Sequence, residues 1–248
     1  MEKITSTNNP TFKKIKKLLT KKGRQKAGLY LIEGFHLIEE AQKSGLDFAY
    51  LLGTKESLAN HDYGQAIEIT DELAKELSQT TNSQSIFAVI KLPVLSEQKP
   101  QWGKWVLLDH LQDPGNLGTI IRTADACGFT GVILSPDCVD LFNPKVQRAM
   151  QGSQFHIELI VNDLASSVVD LQAAGIPVYA SFLDKKAKSL PEFTKEAQVG
   201  IIIGNEAHGV NEDLAKLCDS KVYIPIFGRA ESYNAGVAAG ILMYHFAG

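Results

Sequence analysis

The sequence predicts an α/β protein: a parallel β-sheet with helices on both faces, preceded by a smaller α/β unit. From Trp105 onward, near-continuous Val/Ile/Leu runs alternate with helical stretches, as expected of strands buried on both sides. Upstream the runs are shorter, and a polar, proline-containing stretch, Leu92–Lys104 (LPVLSEQKPQWGK), separates the two regimes. The chain therefore divides into a first unit over residues 1–92, a linker over 93–104 and a second unit over 105–248.

At 248 residues and 44% hydrophobic composition, the chain can bury one large core or two modest ones. No run approaches the roughly 18 to 20 apolar residues that cross a bilayer. Met1–Lys17 also lacks the apolar stretch of a secretory signal, so a cytoplasmic protein is expected. Cys127, Cys138 and Cys218 form no C-x-x-C pair. His36, His61, His110, His156, His208 and His245 fall at no metal-ligand spacing. These patterns predict buried thiols and no metal.

The first element is a helix over Asn9–Thr20. Residues 1–28 hold nine Lys or Arg against one acid, Glu2, although the whole chain has a net charge of −3. Such a segment suits a polyanion such as RNA, with Lys13, Lys14, Lys16, Lys17, Lys21, Lys22, Arg24 and Lys26 as phosphate contacts. A solvated, Lys-rich first helix accounts for the same charges. Strand-like Leu29–Ile32, Phe48–Leu52 and Ser85–Lys91 then alternate with helical Phe35–Lys43 and Asp71–Ser78. In the second unit strands are expected at Trp105–Asp109, Gly131–Ser135, His156–Val161, Val178–Phe182, Gly200–Ile203 and Lys221–Ile226. A ligand would lie outside their carboxyl ends.

No G-x-G-x-x-G follows the first strand of either half and no G-x-x-x-x-G-K-[ST] occurs, which argues against dinucleotide or P-loop chemistry. Polar residues and glycines instead cluster after three strands of the second unit. In Asp113–Gly128 (DPGNLGTIIRTADACG), Asp113-Pro114-Gly115 makes a turn and Asn116 is the expected N-cap. Leu117, Ile120, Ile121 and Ala124 form the buried stripe, and Arg122 falls off it. Arg122 is then either a solvated surface charge or a planar donor fork for phosphate. In Ile201–Val210 (IIIGNEAHGV), Gly204 would let a ligand approach the backbone, and Glu206 could accept from an Arg, a ribose or an amine. A plain strand-to-helix turn explains these glycines too. In Val222–His245 (VYIPIFGRAESYNAGVAAGILMYH), Pro225 marks an irregular strand end, and Ser232 and Asn234 start a helix of small residues.

Taken in order, N-L-G-x-x-I-R-T-A (Asn116–Ala124), I-G-N-E-x-x-G (Ile203–Gly209) and I-P-I-x-G-x-x-E-S-x-N-x-x-V-A-A-G-I (Ile224–Ile241) resemble the three signature motifs of the SpoU family of RNA ribose 2′-O-methyltransferases. The likeness covers Trp105–Gly248. The N-terminal part, with Ser6–Pro10 (STNNP) and Leu31–Gly34 (LIEG), is similar to the L30e-like substrate-binding domain of many members. The resemblance implies a C-terminal trefoil knot, a homodimer and S-adenosylmethionine as cofactor. It implies methyl transfer to a ribose 2′-hydroxyl of 23S rRNA, with a transfer-RNA 2′-O-methyltransferase or a non-catalytic ribosome-assembly protein as alternatives.

Matched position by position, the family likeness makes Arg122 the central catalytic residue and has Asn116, Glu206, Ser232 and Asn234 shape the pocket. The cofactor is expected against the backbone at Ile203, Gly204, Ile224 and Tyr233. Where the family usually has S-L-N-V-S, this chain has Ser232-Tyr233-Asn234-Ala235-Gly236. A guanidinium, with a pKa above about 12, is a poor base at neutral pH, so Arg122 is read as a phosphate clamp that orients the hydroxyl.

Overall fold

The computed structural model describes residues 2–59, 64–80, 82–95, 99–184 and 187–247; His61 and residues 96–98 of the expected linker lie outside them. The chain forms two compact units, Met1–Val94 with Phe142–Gln147, and Leu95–Leu141 with Arg148–Gly248.

The first unit begins with β1 (Glu2–Ile4), α1 (Pro10–Lys17) and α2 (Lys21–Ala27). Helix α1 falls within the helix expected over Asn9–Thr20, and α2 follows it where no helix is expected. Asn9 does cap α1, accepting from the Thr11 and Phe12 amides, but Thr20 accepts from the Gly23 amide and starts a second helix inside the basic run. Gly28, at φ +64°, ends it. A side chain at Gly23 would overlap the Lys17 carbonyl, so glycine is what lets α2 fold back onto the end of α1.

Arg24 corrects the expected RNA-facing set. It is only 5% exposed, and its guanidinium donates to the Leu18 carbonyl at 2.9 Å. The last carbonyls of a helix lack intrahelical partners, and Arg24 supplies a donor there. Lys13, Lys14, Lys16, Lys17, Lys21, Lys22 and Lys26 are all exposed. Of these, Lys13 donates to Asn8 and Lys16 pairs with Glu76.

The unit continues through β2 (Leu29–Glu33), α3 (Phe35–Lys43), β3 (Phe48–Gly53), α4 (Lys55–Leu58), β4 (Ile67–Ile69), α5 (Asp71–Leu77) and β5 (Ile86–Lys91). Its sheet has the order β1-β4-β3-β5-β2; β1, β4 and β3 are parallel, and β5 is antiparallel to both neighbours. Phe12, Ile15 and Leu18 pack with Leu52, Ile69, Leu73, Leu77 and Phe87 in its core.

The second unit contains β6 (Lys104–Leu108), α6 (Pro114–Ala126), β7 (Gly131–Leu134), α7 (Pro144–Met150, whose first residues cluster with the first unit) and β8 (Glu158–Val161). It proceeds through α8 (Leu164–Ala173), β9 (Val178–Ser181), β10 (Lys188–Ser189), β11 (Val199–Ile203), α9 (Glu212–Leu217), β12 (Ser220–Tyr223) and α10 (Ala235–Phe246). All seven strands are parallel, in the order β10-β12-β9-β11-β6-β7-β8.

One sheet face, with Trp105, Leu107, Ile133 and Ile202, packs against Leu164, Val168 and Leu171 of α8 and Leu214 of α9. The alternate residues Val106, Leu108, Val132, Leu134, Ile201 and Ile203 are also buried, while α10 packs on β11 and α6, and α6 on β7. Both faces are thus covered, which is why the strands read as unbroken apolar runs. The buried Lys104 ammonium donates to the Phe246 carbonyl at 2.6 Å, fixing the end of α10 at the start of β6.

Strand β12 stops at Tyr223 rather than the expected Ile226, because Pro225 has no amide to give the ladder. Strand β8 starts at Glu158, not His156, after a 3₁₀ turn at Ser153–Phe155.

Gly23→Ala is expected to lower the first unit's resistance to urea by about 1–3 kcal/mol, the usual cost of overpacking. Equilibrium unfolding followed by circular dichroism checks this.

Candidate active site

A parallel sheet directs all its strand-to-helix loops to one edge. Because β11 inserts between β9 and β6, the loops after β6 and β11 become neighbours; the Asp109 amide already donates to the Ile203 carbonyl at 2.9 Å. Beside them a cavity of about 540 Å³ opens at the carboxyl ends of β9, β11 and β12. Its lining includes Ile203, Gly204, Glu206, Ile224, Ser232, Tyr233 and Asn234, seven of the residues expected at the site.

The wall after β11 is a tight loop. Asn205 and Gly209 exchange both backbone hydrogen bonds, 3.1 and 2.9 Å, and Gly209 takes φ +70°. Gly204 lines the cavity and also closes the loop. A side chain there would overlap Gly209 and Val210, so the backbone that approaches it belongs to the chain's own loop.

Glu206 reaches from this loop to the start of α6. Its Oε1 accepts from Asn116 Nδ2 at 3.1 Å and from the Asp113 amide at 3.3 Å; its Oε2 accepts from the Gln112 amide at 3.4 Å. Partial burial pushes the carboxyl up. The hydrogen bonds from Asn116, from its own amide and from Asp113 and Gln112 together outweigh it, and the pKa lies below the ordinary value.

The expected cap of α6 is corrected as well. Asp113, not Asn116, is the N-cap, accepting from the Asn116 amide at 2.7 Å with Pro114 in the first turn. Proline at the first helical position favours this start. The Asn116 side chain is thereby released to meet Glu206.

On the far wall, Asn234 caps α10 through the amides of Gly236 and Val237, 2.9 and 3.3 Å. The Tyr233 hydroxyl donates to the Pro225 carbonyl at 3.2 Å, a bond that a leucine could not make. Gly236 faces α6: a Cβ there would stand 3.2 Å from Asn234 Oδ1 and 3.4 Å from Asn116 Oδ1. Gly236 thus sits beside the Asn116–Glu206 pair, where an added methyl would be tight only against Asn234.

Arg122 stands apart from this cluster. It is exposed, lines no part of the cavity and makes no hydrogen bond or ion pair with a described residue. It lies six positions along α6 from Asn116, a rise of roughly 9 Å. The structure therefore joins Asn116 to Glu206, places Ser232, Tyr233 and Asn234 on the cavity and leaves Arg122 open to solvent.

Sequence reasoning missed Phe182 and Asp184, which line the cavity, and Asp109, His110 and Asn205, which tie its loops together. A strand ending in Leu-Asp-His was the available signal. Among the described residues there is no group of three or more His, Cys, Asp or Glu able to hold a metal, and no helix is long and apolar enough to cross a membrane.

Residues 104–244 match the SpoU rRNA Methylase family, and residues 9–88 the MRM3-like substrate binding domain. The chain is 40% identical, over an alignment of 251 positions that covers the whole of both, to the 23S rRNA (guanosine(2553)-2′-O)-methyltransferase RlmP of Bacillus subtilis. It is 30% identical to the 23S rRNA (uridine(2479)-2′-O)-methyltransferase of Streptomyces viridochromogenes, across 98% of this chain and 90% of that one. The crystal structure of an AdoMet-bound rRNA methyltransferase from Sinorhizobium meliloti superposes with a TM-score of 0.86 at 31% identity, covering 98% of this chain and 96% of that one.

Glu206→Gln is expected to cost about 1 kcal/mol at neutral pH, because an amide offers a weaker acceptor to three donors. A depressed carboxyl pKa stabilises above the unfolded value, and that contribution disappears as pH falls through the folded value. Wild type and variant should accordingly converge in acid; denaturant titrations at several pH values check this.

Proposed function

The chain belongs to the SpoU rRNA Methylase family, and on that premise we propose that it transfers a methyl group from S-adenosylmethionine to a ribose 2′-hydroxyl of 23S rRNA. The observation that carries the proposal is the pairing of a full-length relative of that named activity with a cavity at the sheet's carboxyl edge. The cavity suits the cofactor. Ile203, Gly204, Ile224 and Tyr233 line it, and apolar Phe182, Leu183 and Val210 share the lining with polar Ser232 and Asn234, a mixture fit for a purine and an amino-acid tail. S-adenosylmethionine, when bound, supplies an electrophilic methyl group on a sulfonium.

The rest falls to the chain. Asn116 and Glu206 hold the start of α6 beside the cavity, and Arg122, open to solvent on that helix, clamps an RNA phosphate with its two-pronged donor edge. A phosphate so held presents its ribose in a fixed orientation, and orientation alone can contribute several kcal/mol. With the cofactor bound, the ribose oxygen would take the methyl group as its bond to sulfur breaks and S-adenosylhomocysteine leaves, and the hydroxyl proton would pass to water or to the clamped phosphate; the guanidinium stays protonated throughout. Ser232 and Asn234 shape the pocket from the opposite wall.

Substrate binding is assigned to residues 1–92, a linker to 93–104 and catalysis to 105–248, in keeping with the extents of the two family matches. Seven lysines, Lys13, Lys14, Lys16, Lys17, Lys21, Lys22 and Lys26, bind phosphates, with Arg24 left as a buried brace. A homodimer, the C-terminal trefoil knot and a cytoplasmic location come with the same family reading. Val237 and Tyr244, 52% and 79% exposed on α10, are apolar surface that a second copy would cover.

Labelled methyl transfer to bulk ribosomal RNA, followed by mapping of ribose methylation, tests the activity. Arg122→Lys keeps the charge and loses the fork; kcat at saturating RNA should fall by about 10- to 100-fold with the cofactor KM unchanged. Near-normal turnover would rule out the clamp. Replacing Lys17, Lys21 and Lys22 by alanine should weaken RNA binding. The slope of log affinity against log salt should become shallower by about 0.7 to 0.9 for each phosphate no longer neutralised, as measured by filter binding.

A further inference from the structure

His110 follows β6 with φ +55°, a backbone region that side chains other than glycine seldom occupy. Its Nδ1 lies 2.6 Å from Oδ1 of Asp109 and its Nε2 3.4 Å from Oδ2 of Asp137. Asp109 is only 4% exposed, and its second oxygen accepts from the amide of Asn211, the cap of α9, at 2.8 Å. The His110 backbone is equally committed. Its amide donates to Ser135 Oγ at 3.0 Å, and its carbonyl accepts from Asn205 Nδ2 at 2.8 Å. Asn205 lines the cavity beside Glu206, so the loops following β6, β7 and β11 meet at this one residue.

Resting on the methyltransferase reading, we propose that His110 is a positioning residue whose imidazolium, bridging Asp109 and Asp137, fixes the cavity wall, so that cofactor affinity follows its protonation. An imidazole donates through both nitrogens only when it carries both protons. The neutral ring keeps the Asp109 bond and gives up the Asp137 carboxylate, so the loop after β7 loses its tie to the ring and keeps those of Ser135 to the His110 amide and of the Asp137 carbonyl to Gln112. The hydrogen bond with Asp109 is the main influence raising the His110 pKa; partial burial opposes it, and the charges of Asp109 and Asp137 add to it. The thiol of Cys138, close to Asp109, is kept neutral, its pKa raised chiefly by burial. Asp109 and Asp137 are the charged groups facing the ring among the described residues. With a raised folded pKa, the bridge is complete at low pH and is lost as pH rises through that value.

Linkage makes the effect reciprocal: if protonation favours the ligand, the ligand favours protonation by the same factor. The experiment uses the full chain and S-adenosylhomocysteine, with calorimetric titration at about pH 6 and about pH 8.5, spanning the range where a histidine changes charge. NMR titration of the His110 ring, with and without the probe, accompanies it. The expected result is a Kd at least about threefold higher at the upper pH and a His110 pKa raised by the matching half unit when the probe is bound. His110→Asn, which tolerates the same backbone and cannot titrate, should flatten the dependence, and Asp137→Asn should move its midpoint to lower pH. A Kd equal at both pH values, or a His110 pKa that the probe leaves unmoved, overturns the proposal. Failure of the probe to bind at any pH overturns the methyltransferase reading beneath it.

Discussion

The carboxylate of Glu206 joins two segments ninety residues apart, and the geometry of the active edge depends on it. It gathers an amide side chain and two backbone amides at the start of α6, where a helix has donors without partners. An anion at that end is also favoured by the helix dipole. The loop that carries Glu206 is itself closed by Gly204 and by the Asn205–Gly209 pairing. Neither loop could be placed without the other, and their meeting follows from the strand order that sets β11 against β6.

Much of the fold was legible because all-parallel sheets bury both faces of their strands. The six long apolar runs of the second unit stood out for that reason, and each corresponds to a strand. Strands β1, β4 and β10 did not, since two or three residues cannot display a period and their pairing partners are remote in sequence. Helix α2 was missed for another reason. Thr20 is a weak cap signal, Gly23 disfavours a helix, and the lysines around them form a polar run with no apolar stripe.

The site was legible as composition and less so as geometry. Polar residues after the strands pointed to the edge where the cavity opens, and seven of the nine residues that the resemblance selected line it, Asn116 and Arg122 excepted. What sequence could not supply was which polar atom meets which. Asn116 looks like a cap, yet Asp113 occupies that place; Arg24 looks like surface charge, yet it braces a helix end. Each depends on a competition between partners that only the folded chain decides.

Two of the cavity's walls are unlike. One, from Gly204 to Val210, is locked by backbone pairing and by the bonds of Glu206. The other is formed by Ile224 and by Ser232 to Ala235, and the chain between them, Phe227 to Glu231, is exposed throughout, with Phe227 94% open to solvent. The ends of that stretch are held by Tyr233 on Pro225 and by the Asn234 cap, leaving the residues between without structural duty to the sheet. Variation can therefore accumulate on one side of the opening without disturbing the other, so a lineage could change what it admits while keeping intact the framework that performs the transfer.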